Sequence, residues 1–299
     1  MLATALRLLI LLELAFYSTL ALHFFDATPL AALLFAVAGV LALRLCLVML
    51  VYALGRGQRT PAQRLRCAPA IAMFGAEYAA FIANFVLISP FECWWMGGDR
   101  LRPTDGRPPL LLIHGYGCSR AAWWWQRRRL EAAGWNVATI NLEPLYTSID
   151  NYVEPLARRI DEVLAQTGAA RLILIGHSMG GLVARAYLRR HGAAQVSRLV
   201  TLGTPHGGSE LARFGLGENA RQMRPGSAWL ASLGAPPVAT LIIYSVHDNY
   251  VWPPSCLELP GAQRCPLERL GHLAMLFSPR VSQALLDGLS RVDDSQQSA

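Results

Sequence analysis

The pentapeptide Gly176-His177-Ser178-Met179-Gly180 constrains this chain more than any other segment. It follows the apolar run Leu172-Ile173-Leu174-Ile175 and leads into a helix-forming stretch from Gly181 to Arg190. Together these read as a buried strand, a tight turn and a helix. In that setting Gly-x-Ser-x-Gly has chemical meaning, because the turn is strained and lifts the serine oxygen out of the backbone. The flanking glycines leave room where a Cβ would clash. The helix behind Ser178 points its first N–H groups, and the positive end of its dipole, at the same place.

From Pro109 onward, strand-like and helix-like runs alternate. Strands are expected over residues 110–113, 136–142, 171–175, 196–202 and 240–246, and helices over 121–133, 152–166, 182–190 and 273–289. Continuous apolar strands separated by helices imply a parallel sheet covered on both faces. Right-handed crossovers make that sheet doubly wound. In such sheets chemistry gathers at the carboxyl ends of the strands.

A serine hydroxyl needs a base to take its proton, and the base needs an orienting acid. The run Leu241-Ile242-Ile243-Tyr244-Ser245-Val246 ends in His247-Asp248, which puts Asp248 at a strand's carboxyl end. Gly271-His272-Leu273 precedes the last helix. The order Ser178, Asp248, His272 suits this architecture, with His272 as general base and Asp248 fixing its tautomer. Glu143 also follows a strand and is the substitute acid. His177 is expected to point away from the nucleophile, His191 to meet the dipole of the helix it ends, His206 to sit in a loop or line the pocket, and His247 to pack beside Asp248. An oxyanion needs preorganised donors. The backbone N–H groups of Met179 and of Tyr116, in His114-Gly115-Tyr116-Gly117, are expected to supply them.

The first 96 residues differ in kind. The whole chain is 53% hydrophobic and 16% charged, and the charge deficit is concentrated there. Residues 8–25 and 30–54 are long enough to span a bilayer, and residues 68–88 form a third, weaker stretch containing Gly75, Glu77 and Asn84. Arg44 and Glu77 lie inside apolar segments, where charge is costly, and are expected to pair or to snorkel. The break Asp26-Ala27-Thr28-Pro29 carries no arginine, whereas Arg7 precedes the first stretch and Arg56, Arg59, Arg64 and Arg66 follow the second. The positive-inside rule then makes the N-terminus and the arginine loop cytoplasmic. The expected location is integral in a bacterial inner membrane. Residues 68–88 are expected to span as well, which makes residues 97–299 periplasmic; they are cytoplasmic if residues 68–88 do not span. The net charge of +7 is all arginine and fits membrane flanks; no nucleic-acid motif accompanies it.

These pieces resemble the α/β-hydrolase superfamily, and within it bacterial triacylglycerol lipases and esterases. The resemblance rests on the Gly176–Gly180 pentapeptide, His114-Gly-Tyr-Gly117, Leu202-Gly-Thr-Pro-His-Gly-Gly-Ser209, Asp248-Asn-Tyr-Val251 and Gly271-His-Leu-Ala-Met-Leu276, within residues 109–290. It implies an α/β-hydrolase fold and ester hydrolysis through an acyl-enzyme, and does not reach the expected N-terminal transmembrane helices that precede it. An acyltransferase or thioesterase would use the same residues; a non-catalytic binding module is the third alternative. No cofactor and no metal are expected, since the chain lacks the aspartate pair that holds calcium in some of these lipases. The expected partners are an ester or lipid substrate and the bilayer. The division is a membrane anchor over 1–96 and a hydrolase domain over 97–299, with a cap insertion at about 206–237. Trp123-Trp124-Trp125 suits either lipid or a partly buried helix, and Arg127-Arg128-Arg129 a solvated face. Cys256 and Cys265 flank a short loop and are expected to form a disulfide in an oxidising compartment.

Overall fold

The computed structural model describes residues 1–58, 65–104 and 106–296. Arg59 and Arg64 of the arginine loop lie outside the described residues. Three N-terminal helices are long and apolar enough to cross a membrane. The first is α1, Leu2–Phe24, and the second is α2, Pro29–Gly55. The third, α3, Cys67–Ile82, continues through a wide turn at Ala83–Ile88 into the short α4, Glu92–Met96. Thr28 caps α2 by accepting the Ala31 N–H at 3.4 Å, with Pro29 in the first turn, where its missing N–H costs nothing. Leu8, Leu12, Phe16, Leu33 and Leu34 point outward and are exposed. An apolar outer face of this size is rare on a water-facing fold.

Arg44 and Glu77 do not pair. Arg44 reaches Glu13 on α1, so a buried cation meets an anion between the first two helices. Glu77 faces away, into the α/β domain. Arg127 is not part of a solvated face either, although Arg128 and Arg129 are exposed. It is 5% exposed, bonds the carbonyls of Met96 and Gly98 at 3.1 and 2.9 Å, and pairs with Asp99 at 3.1 Å. A buried guanidinium needs such partners, and meeting them pins the chain from Met96 to Asp99.

Strands β1 (Leu110–Ile113), β2 (Val137–Ile140), β3 (Leu172–His177), β4 (Val196–Leu202), β5 (Ala239–Ser245) and β6 (Gln263–Leu267) form one sheet in the order β2-β1-β3-β4-β5-β6. Every neighbouring pair is parallel. The strand order reverses beside β1, which makes the carboxyl ends of β1 and β3 the switch point of the sheet. Alternate side chains feed opposite cores. Leu111, Ile113, Leu172 and Leu174 meet α6 (Val153–Thr167) and α7 (Met179–His191). Leu110, Leu112, Ile173 and Ile175 meet Trp123, α5 (Trp124–Ala132) and α10 (Pro279–Gln296). The Trp run is thus divided: Trp123 is fully buried, while Trp124 and Trp125 are only half-buried. Between β4 and β5 the chain inserts a short turn at Glu210–Phe214, then α8 (Gly217–Gln222) and α9 (Ala228–Ser232).

The sequence reading missed β6, in which Gln263, Arg264 and Pro266 are exposed and only Cys265 and Leu267 are half-buried. An edge strand with one covered face carries no continuous apolar run. Cys265 lies on β6 opposite Ile243 and joins the core on that side of the sheet. Cys256 packs with Ile242 and Tyr244 on the other side. The two sulfurs therefore lie across the sheet from each other, and the expected disulfide does not form.

Candidate active site

Ser178 sits between β3 and α7 with φ 54° and ψ −127°. A side chain at positive φ is strained, by about 1–3 kcal/mol for such regions. The surroundings hold it there. The Ser178 N–H donates to the Leu202 carbonyl at 2.8 Å, and the Thr204 hydroxyl donates to the Ser178 carbonyl at 2.9 Å. Gly180 faces the carbonyls of Ile113 and His114 with no room for a Cβ, and Gly176 faces the backbone of Gly180 and Gly181 in the same way. Both glycines of the motif are needed because α7 lies directly on the sheet.

Asp248 and His272 meet. The imidazole Nδ1 lies 2.7 Å from Asp248 Oδ2, with both residues buried. Asp248 Oδ1 accepts the N–H groups of Tyr250 and Val251 at 2.7 and 3.0 Å, which fixes the carboxylate plane. The His272 N–H donates to Asn249 Oδ1 at 2.8 Å, and the Tyr250 ring stacks on the imidazole, centroids 5.0 Å apart. Ser178 and His272 line one cavity of about 280 Å³. Glu143, the substitute acid, is elsewhere: its carboxylate pairs with the Met1 amino group at 2.8 Å.

Tyr116 follows β1 and lines the cavity, and the Met179 N–H is the first of α7, where no intrahelical acceptor exists. Beside Tyr116, Gly115 packs so tightly on Ser178 that an added Cβ would lie 2.8 Å from the serine Cβ. The Tyr116 hydroxyl both accepts from the Leu216 N–H (2.8 Å) and donates to its carbonyl (2.9 Å). It ties the inserted segment over the pocket. That segment adds Leu211, Phe214, Ala220 and Met223 to the lining, and the N-terminal helices add Val51 and Phe85.

Electrostatics separates the histidines. Burial pulls His114 down to about 4 and His206 to about 3, and holds His177 well below the ordinary value. For His272 burial also acts downward, but the Asp248 carboxylate and its hydrogen bond outweigh it, so the imidazole is raised. His114 Nε2 accepts the Leu142 N–H at 2.9 Å, and His177 Nε2 lies 3.2 Å from the His272 carbonyl. Burial pushes the nearby Cys118 thiol up to about 12, so it stays protonated and is no rival nucleophile. Among the described residues no cluster of acidic, histidine and cysteine side chains is arranged to hold a metal ion. Sequence reasoning gave Asn249, Tyr250 and Glu77 no role in the site. The first two could be suspected from their place beside Asp248; Glu77 stood out as a charge in an apolar segment, but its partners lie far along the chain.

Residues 108–231 match the family described as alpha/beta hydrolase fold. The chain is 36% identical over 116 residues to a triacylglycerol lipase of Pseudarthrobacter phenanthrenivorans, a match covering 36% of this chain and 36% of that protein. It is also 36% identical over 116 residues to a triacylglycerol lipase of Burkholderia plantarii, covering 36% of this chain and 32% of that one. The match thus spans about a third of the length of these relatives. Among solved structures, the mature form of a Bacillus licheniformis lipase superposes with a TM-score of 0.58 at 20% identity, covering 64% of this chain and 96% of that one. Aspergillus fumigatus lipase B gives 0.53 at 16% identity, covering 64% and 55%. Residues 108–231 thus match the alpha/beta hydrolase fold family, the parallel sheet with its serine turn shares the fold of these lipases, and helices long and apolar enough to cross a membrane precede it.

Proposed function

We propose that this chain is a membrane-anchored serine hydrolase that cleaves acyl esters. Residues 1–96 form the anchor and residues 97–299 the hydrolase domain, with the cap at about 206–237. The observation that carries this reading is the buried Asp248–His272 pair opening on the cavity that holds Ser178. His272 takes the hydroxyl proton as Ser178 Oγ attacks the ester carbonyl. Asp248 keeps Nδ1 protonated and stabilises the imidazolium that forms. The N–H groups of Met179 and Tyr116 receive the oxyanion. His272 then returns the proton to the leaving alcohol, and water attacks the acyl-enzyme by the same route.

The lining supports a membrane-resident substrate. Val51 belongs to α2 and Phe85 to the extension of α3, so the anchor forms part of the acyl pocket. Phe214 and Leu216 leave apolar surface exposed beside it. The purified full chain in detergent is expected to hydrolyse p-nitrophenyl laurate or palmitate in preference to the acetate. Val51→Trp is expected to reverse that preference: excluding about two methylenes at ~0.8 kcal/mol each lowers kcat/KM for the long ester roughly tenfold. Acetate turnover should stay within about twofold, since its acyl group ends before the wall. Equal losses on both esters would remove the anchor from the acyl pocket, and no turnover of any ester by folded protein would overturn the hydrolase reading. Added alcohol acceptors in the same assay separate hydrolysis from acyl transfer.

The packing of the hairpin supports a cytoplasmic hydrolase domain. The Met1 amino group pairs with Glu143, and Gly55 at the far end of α2 lies against the Trp252 ring, so both feet of the α1–α2 hairpin stand on the α/β domain. Arg7 and Arg56 belong to those feet. The positive-inside rule then puts the domain on the cytoplasmic side, with α3 wedged between hairpin and sheet. A fluorescent protein fused to the C-terminus is expected to glow in cells, and alkaline phosphatase at the same point to stay inactive. The opposite pair of results would favour three spans and a periplasmic domain.

A further inference from the structure

Glu77 is the one acidic side chain of α3, and it is fully buried. Both oxygens are used. Oε1 accepts the Leu273 N–H at 3.0 Å and Oε2 accepts the Ala274 N–H at 2.8 Å. These are the two residues after His272, and they open the helical turn Ala274–Phe277. A helix start leaves its first N–H groups without acceptors. Local sequence normally supplies a Ser, Thr, Asp or Asn cap, but Gly271-His272-Leu273 offers none. The cap arrives instead from a residue 196 positions away. Gly271 has no Cβ, and one there would collide with the Glu77 carboxyl. The anchor helix and the histidine loop are thus fitted to each other.

We propose that Glu77 is a positioning residue for His272: through the two N–H groups that follow the histidine, the third anchor helix sets the imidazole against Asp248 and Ser178. This rests on the hydrolase reading above. Besides the His177 ring nitrogen at the His272 carbonyl, three side chains hold the loop. Asn249 accepts the His272 N–H, Asp248 takes Nδ1, and Glu77 takes the next two N–H groups. The first two come from the segment after β5. Glu77 alone comes from the anchor, so the base is correctly placed only when α3 is docked. A carboxylate this near also favours the imidazolium formed during acylation. The ionisable groups facing the His272 ring are Asp248, His177, Tyr250 and Glu77. Asp248 and Glu77 are the acidic ones and favour the charged ring.

The test uses the full chain in detergent, with a water-soluble acetate ester, and compares Glu77→Gln with Glu77→Asp. Glu77→Gln keeps one acceptor and removes the charge. It is expected to lower kcat roughly 10- to 100-fold through misplacement of the base, with KM within about twofold. The acid limb of the pH profile should move down by about one unit, since an anion beside the imidazole has been lost. Glu77→Asp keeps the charge but falls short of both N–H groups; kcat should fall while the acid limb stays in place. NMR titration of labelled histidine in the same micelles reads the His272 shift without any turnover. Failure of the hydrolase reading and failure of this one are therefore told apart. If Glu77→Gln folds and leaves kcat, the acid limb and the imidazole titration unchanged, Glu77 is only a clip between helix and domain and the proposal falls.

Discussion

Replacing Ser178 with alanine is expected to cut ester turnover by roughly 10⁴-fold or more, the scale on which a serine nucleophile acts together with its base. The fold should survive. The backbone at Ser178 is held by the Leu202 carbonyl and the Thr204 hydroxyl, and the neighbouring glycines set the approach of α7; none of these contacts needs the serine Oγ. Alanine keeps a Cβ at φ 54°, so the strain remains and the melting temperature should change little. Ser178→Gly would lose activity equally but relieve the positive φ, and should melt higher. The measurement is turnover and thermal unfolding of all three proteins in one detergent. Turnover in Ser178→Ala within tenfold of the native chain would assign the chemistry to another residue.

Asp248→Asn is the second large effect, about 10⁴-fold in kcat near neutral pH. Asp248 Oδ2 accepts from His272 Nδ1, and Oδ1 accepts the N–H groups of Tyr250 and Val251. Asparagine can keep the two backbone bonds only by turning its NH2 toward Nδ1. The imidazole must then carry its proton on the nitrogen that should receive one from Ser178. The pH dependence follows from the sign of the shift. His272 is raised above the ordinary histidine value, and it must be neutral to act as base. In the native chain, ester turnover is therefore expected to fall as pH drops through that raised value. Removing the carboxylate lowers the imidazole pKa, so the residual activity of Asp248→Asn should persist to lower pH. The same pair bears on stability. The Asp248–imidazolium attraction is present below the unfolded histidine pKa and fades as pH rises through the folded one. Asp248→Asn should accordingly cost more stability on the acid side than on the alkaline side. An unchanged acid limb would mean that another group governs it.

The α/β domain was legible where local chemistry decides structure. Leu172–Ile175 had to be a buried strand, and the glycines around Ser178 required a close turn. The expected strands at 110–113 and 196–202 coincide with β1 and β4. Strand β6 escaped because Gln263-Arg264-Cys265-Pro266-Leu267 is polar and proline-bearing, and becomes a strand only by pairing with β5. The disulfide expectation failed for a related reason. Proximity along the chain says nothing about which side of a sheet each cysteine faces.

By itself the sequence determined the parallel α/β architecture, the place of Ser178 at a strand's end and the apolar character of the first three helices. Each of these depends on periodicity, on glycine placement or on an apolar run, all of which are local. Only the tertiary structure decided the partners of the buried charges. It set Arg44 against Glu13 and Arg127 against Asp99, and brought Glu77 of α3 to the loop behind His272. It also made Val51 and Phe85 walls of the cavity. A buried charge must find a partner, but which partner depends on how distant segments dock, and no local pattern in the chain encodes that.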